Sequence, residues 1–371
     1  MRLSPFKLER YFARYEFDVK HLLCCSDCES LSVAGVLALE PGAEEGLSEQ
    51  WLGYTESRGS PSLRREISRI YTGISAEEIL VHSGAEEAIF LFMQALLEPG
   101  DHVIVHWPCY QSLAEVASGI GCRVTRWAAR EDRGWALDLD DLVGRLRPET
   151  KAVVVNLPHN PTGYLMGREQ FLEMTDILRA RGIVLFSDEV YRESEYHPED
   201  RLPAACDVYE KAVSLGVMSK SYGLAGLRIG WIATRATTIL HRMAALKDYT
   251  TICNSAPSEF LAEVALRHRE RLARRSVEII TANLRLLDAF FEQHEDVFAW
   301  QRPVAGPIGF PRLLTGDSEA FCDRLVRKAG VLLLPGTVFD DDGNHVRIGF
   351  GREDMNIGLA RLVSFLESAS V

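Results

Sequence analysis

KAVVVNLPHNPTGYLMGREQFLEMTDILRARGIVLFSDEVY, residues 151–191, alternates between two kinds of apolar pattern. KAVVVNLP and GIVLFSDE are short, continuous apolar runs of strand length. Between them, EQFLEMTDILRARG spaces its apolar residues as a helix does. Outward from this unit the alternation repeats. EEILVHSG, DHVIVHWP, CRVTRWA and KAVSLGVMS are further strand-like runs, and EEAIFLFMQALL, YQSLAEVASGI and LDDLVGRL are helix-like segments. The expectation is an α/β fold with a mostly parallel central sheet. Its strands read as apolar throughout because helices cover both faces.

PSLRREISRIY, residues 61–71, reads as a helix opened by Ser-Pro. After about residue 235 the pattern changes, and a long helical region over 258–293 leads to a smaller α+β part. There FPRLL, GVLLLPG and HVRIGFG read as strands, and SEAFCDRLVRKAG and NIGLARLVSFLES as helices. Residues 1–20 read as an amphipathic start that packs against this second part. The expected division is a large domain over 48–265 and a small domain built from 1–47 and 266–371.

The 371 residues are 47% hydrophobic and 25% charged, an ordinary globular composition with ample chain for a core. A formal net charge of −12 repels phosphate backbones, which excludes nucleic acid as an expected partner. No stretch approaches the roughly 20 apolar residues of a membrane span. MRLSPFKLERYFARYEF has no uninterrupted apolar run of the secretory kind, so the expected location is the cytoplasm. The eight cysteines are read there as reduced thiols. Cys25 and Cys28 form a lone CxxC without a matching second pair, and no metal site is expected. No G-x-G-x-x-G follows the first strand-like run, which removes a dinucleotide-binding reading.

Four segments carry chemistry. SKSYGLAGLRIGW holds Lys220 and, eight residues on, Arg228. FSDEVY ends a strand-like run with Asp188, followed three residues later by Tyr191. NLPHNPTG holds Asn160, 28 residues before Asp188, and HSGAEEA leads from a strand-like run into a helix. In this order and spacing the four resemble the class I/II aminotransferases, the pyridoxal 5′-phosphate (PLP) enzymes of fold type I. The resemblance runs from about Tyr54 to the C-terminal region.

The resemblance implies PLP as cofactor and Lys220 as the Schiff-base lysine and proton shuttle, tasks that suit a lysine whose pKa falls on burial. Asp188 would pair with the pyridine nitrogen and keep it protonated. Tyr191 and Asn160 would hydrogen-bond the phenolic oxygen, with Asn160 also near substrate. Arg228 and Ser219 would bind the phosphate, helped by backbone N–H groups of Gly84, Ala85 and Glu86 at a helix N-terminus. The Glu86 carboxylate is expected to point away from that phosphate. Val217 stands where the family often has a second hydroxyl.

Tyr110 would stack on the cofactor ring, while Trp107, before Pro108, reads as structural. Tyr54, five before Gly59, matches a tyrosine that reaches the neighbouring subunit's phosphate, which implies a homodimer with shared sites. Arg347 in HVRIGFGR would grip the substrate α-carboxylate, with Arg352 as the other candidate.

The N-terminal CCSDCESL departs from the family's Gly- and Pro-rich loop. Asp27 and Glu29 are either a capped, solvated loop or two acids facing a basic substrate such as arginine. Transfer of an amino group between an amino acid and a 2-oxo acid is the leading expectation. A lyase, cyclase or oxidase on the same scaffold, and a PLP-binding protein without turnover, stay open, since fold does not decide among them.

Overall fold

The computed structural model describes residues 1–369; residues 370 and 371, the end of the expected small domain, lie outside the described residues. Seven strands form the central sheet: β1 (Ile79–His82), β2 (His102–Trp107), β3 (Arg123–Ala128), β4 (Thr150–Asn156), β5 (Val184–Asp188), β6 (Ala212–Val217) and β7 (Gly230–Ala233). Their order is β1-β7-β6-β5-β4-β2-β3. Neighbours from β6 through β3 pair in parallel, and β7 runs antiparallel to both β1 and β6. Strand β7 starts on the last two residues of the SKSYGLAGLRIGW segment and is not expected from its sequence. Four residues following a glycine-rich turn give too short an apolar run to separate from the loop.

Successive residues of a strand point to opposite faces, and the sheet is apolar on both. Val154, Phe186 and Val213 pack on one side with Phe92 of helix α2 (Ala85–Leu96). Val153, Val155, Leu185 and Ala212 pack on the other with Phe171, Met174 and Leu178 of helix α3 (Arg168–Arg181). Each of these side chains except Ala212 contributes about 1.5–3 kcal/mol on burial.

The expected helical region over 258–293 is helical, divided into α4 (Ala256–Arg267) and α5 (Arg269–Gln293). They break at His268, where neither proline nor glycine signals it. Arg267 and His268 both turn onto Glu40 at this point, so the break is set by a tertiary contact. The 61–71 helix is shorter than expected, Pro61–Ser68.

Another apolar cluster joins α5 through Leu284, Leu287 and Phe291 to Phe321, Leu325, Val331, Val346 and Leu362. A small antiparallel sheet stands beside it, with β10 (Val346–Gly349) between β8 (Ile308–Gly309) and β9 (Leu334–Pro335). The chain's beginning is tied to this region twice. His21–Leu22 pairs in parallel with Val331–Leu332. Helix α1 (Lys7–Tyr15) buries Leu8 against a cluster that contains Phe310, Leu332 and Leu334. No described helix is long and apolar enough to cross a membrane.

Candidate active site

The C-terminal ends of parallel strands open onto a crevice, which is where open α/β sheets hold their ligands. Here β5 ends at Asp188, β4 ends at Asn156 directly beside it, and the turn after β6 carries Ser219 and Lys220. These residues line a cavity of about 370 Å³, together with Ala85, Glu86, Tyr110, Asn160, Tyr191, Arg228, Arg347 and Arg352.

Asp188 is 5% exposed. Its carboxylate accepts from the Val190 N–H at 3.2 Å and makes no ion pair among the described residues. Burial pushes its pKa up from 3.8 to about 7, against the lowering influence of the Val190 N–H and Lys220. Tyr191 is also buried, and its hydroxyl has no hydrogen-bond partner among the described residues. Such groups at the wall of a cavity are sites prepared for a polar ligand.

Lys220 Nζ donates to Ser26 Oγ at 2.9 Å and stands 5.9 Å from the centre of the Tyr191 ring. Asn160 is fixed by its own N–H, which donates to Asn156 Oδ1 at 2.6 Å. Its Oδ1 accepts from Arg347 Nη1 at 3.0 Å. Arg347, 1% exposed, also donates from Nε and Nη2 to the Cys24 carbonyl at 3.2 and 2.7 Å. Those bonds hold the guanidinium plane, and its remaining N–H groups have no partner among the described residues.

Gly84 caps α2 with φ +85°, a conformation that favours glycine. A Cβ there would lie 2.6 Å from Arg228 Nη2, so the glycine lets the guanidinium approach the helix N-terminus. Arg228 itself adopts φ +53° and donates to the Ala225 carbonyl at 3.1 Å. Paired with the α2 N–H groups, it makes a cradle suited to a phosphate. Glu86 lines the cavity, and its carboxyl accepts from Ser112 Oγ at 3.1 Å. Burial raises its pKa to about 7, which weakens its repulsion of an anion. Val217 also lines the cavity and offers it no hydroxyl. The donor set therefore fits PLP: a lysine amine, a buried carboxylate, an arginine at a helix N-terminus and an aromatic wall.

Three further residues named from the sequence stand apart from this donor set. Tyr54 is 83% exposed and does not line this chain's cavity. Glu29 lies outside the cavity lining, and its carboxylate accepts the Glu353 N–H at 3.0 Å. Asp27 does line it, but is paired with Arg352 at 3.0 Å. Among the described residues no cluster of His, Cys, Asp and Glu could hold a metal, and all eight cysteines are free.

Sequence reasoning missed Ser26 and the α1 wall. Glu9, Phe12 and Glu16 all line the cavity. Their spacing of three and four residues puts them on one helical face, a signal present in the sequence but read only as amphipathicity.

The model of the family described as aminotransferase class I and II matches residues 26–362. Capreomycidine synthase of Streptomyces vinaceus is 30% identical over 365 residues, covering 96% of this chain and 92% of that protein. A PLP-dependent aminotransferase from Streptococcus suis superposes with a TM-score of 0.93 at 34% identity, covering 99% of both chains. The PLP-dependent cyclase OrfR superposes with a TM-score of 0.91 at 32% identity, covering 100% of this chain and 98% of that one. The family match along nearly the whole chain agrees with the cavity's donor set, and the chain belongs to the PLP-dependent class I and II aminotransferases.

Proposed function

We propose that the cavity transfers an amino group between an α-amino acid and a 2-oxo acid, with Lys220 as the reacting amine. The observation that carries this reading is the buried Asp188 carboxylate, which makes no ion pair among the described residues, in the same cavity as Lys220. When bound, PLP supplies an aldehyde for the substrate amine and a ring that stores the electron pair released at Cα.

Asp188 would hold the ring nitrogen in its protonated form. Tyr191 and Asn160 would donate to the phenolic oxygen, and the Tyr110 ring would cover the cofactor face. Arg228, Ser219 and the N–H groups of Gly84, Ala85 and Glu86 would bind the phosphate. Arg347 would grip the α-carboxylate with its unpartnered N–H groups, and fixing that end orients the bond to be broken at Cα. Lys220 Nζ would then move the Cα proton. Its bond to Ser26 supports a second role for that hydroxyl, holding the amine while the amine is free.

A division into domains over 48–265 and over 1–47 with 266–371 fits this chemistry, the smaller unit supplying Arg347 and closing over substrate. A homodimer is supported by exposed Trp51, Leu52, Tyr54, Tyr249 and Ile252. The two segments that carry them are tied where Thr55 Oγ1 donates to the Asn254 carbonyl. Tyr54 would serve the partner's site from that patch. Eight free thiols accord with a cytoplasmic location.

Absorbance of the purified protein tests the assignment. A visible band is expected, and Lys220→Ala should abolish its bleaching by amino acids and all turnover. A colourless protein that cannot be reconstituted with PLP would overturn the reading.

A second reading, a cyclase on the same scaffold, is favoured by the likeness to OrfR. Incubation with an amino donor alone separates the two. Aminotransfer releases one equivalent of 2-oxo acid per site and stops, whereas a cyclase gives repeated turnover to a cyclic product without an acceptor.

A further inference from the structure

The walls of the cavity do not balance in charge. Asp27 is paired with Arg352, Glu86 is bonded to Ser112, and Asp188 is assigned to the ring nitrogen of PLP. Glu9 on α1 and Glu16, the residue that caps its C-terminal end, remain. Neither makes an ion pair among the described residues, and the sole side-chain hydrogen bond to either is donated by the Tyr110 hydroxyl to Glu9 at 3.2 Å. They stand two helical turns apart, and their carboxyls are near enough that the Glu9 charge, after burial, raises the pKa of Glu16.

Glu16 is half-buried and Glu9 exposed, and two like charges lining one cavity repel each other unless a cation joins them. The protein's own cations in the lining have other hydrogen-bond partners: Lys220 has Ser26, Arg228 has Ala225, Arg347 has Asn160 and Cys24, and Arg352 has Asp27, although Arg352 is near enough to offset part of the rise in the Glu16 pKa. That the cavity receives a ligand rests on separate groups, the buried Asp188 carboxylate and the unpartnered Tyr191 hydroxyl.

We propose that Glu9 and Glu16 form the distal subsite for the substrate side chain, and that the substrate is an α-amino acid with a cationic group at its far end. This deepens the reading of the cavity as an amino-acid site and rests on it. Arg347 takes the carboxylate end, and the α1 acids take the other. A guanidinium suits the pair best, because its planar N–H groups can serve two carboxylates at once, whereas an ammonium is a single point charge.

The test titrates the holoenzyme with arginine, lysine, citrulline and norleucine and reads the concentration that half-changes the visible spectrum. Citrulline has nearly the shape of arginine without its charge. Wild-type protein should bind arginine on the order of 10- to 100-fold more tightly than citrulline, the range expected of charge-assisted hydrogen bonds. Glu9→Gln combined with Glu16→Gln should bring that ratio to within about 3-fold. Lysine should fall between the two. Should the double variant lose PLP, each single variant should still lose part of the ratio.

Equal half-changes for arginine and citrulline in the wild type, or an unaltered ratio in the variants, would overturn the subsite. A protein that shows no visible band, or no change with any amino acid, would instead overturn the PLP reading beneath it.

Discussion

Asp188 is the residue whose environment says most. Its carboxyl titrates near 7 in the cofactor-free fold and near 3.8 ordinarily. Between those values the folded chain holds a proton that the unfolded chain has lost, so stability falls as pH rises through that window and then levels off. Asp188→Asn removes the penalty. The cofactor-free variant should be more stable than wild type at pH 8 by roughly 2–4 kcal/mol, and equal to it near pH 4. Urea melts at both pH values measure this; equal stabilities at pH 8 would show the carboxyl to be solvated. With PLP bound the order should reverse, because the wild-type carboxylate then has a cation to pair with. Destabilisation held in reserve at a ligand site is the expected signature of a group built for binding.

At the scale of elements, the parallel strands were legible because burial on both faces leaves continuous apolar runs, as in KAVVVN and IVLFSD. Strand β7 and the His268 break were not. One depends on pairing between distant strands, the other on Glu40, and neither contact has a local signal. The site divides the same way. Asp188, Asn160, Lys220 and Arg228 stand in recognisable motifs at strand ends. Glu9 and Glu16 gain their meaning only when α1 is docked across the crevice. Glu29, by contrast, was read from proximity in sequence, and its backbone partner on Glu353 holds it outside the cavity.

Docking of α1 depends on Leu8, 4% exposed. Leu8→Ala should cost about 2–3 kcal/mol in the contact that anchors the helix. The expected result is weaker arginine binding with an unchanged spectrum before amino acid is added. A spectrum altered before addition would mean that α1 also shapes the cofactor site.

For the whole molecule, the exposed patch around Trp51 and Tyr249 predicts a partner. Trp51→Asp with Tyr249→Asp should convert a dimer to a monomer in sedimentation velocity and weaken PLP retention, since Tyr54 would no longer reach a neighbour. A wild-type monomer with full PLP occupancy would contradict the shared site.

The pairing of His21–Leu22 with Val331–Leu332 has a consequence for how the protein is born. Every strand of the central sheet, with Asp188, Lys220 and Arg228, lies before residue 234. A nascent chain can thus complete the cofactor cradle before Phe310, Leu332 and Leu334, against which α1 buries Leu8, have been translated. Helix α1, early in the chain, is therefore among the last elements to find its place, and a wall of the cavity is added to a pocket already shaped for its cofactor.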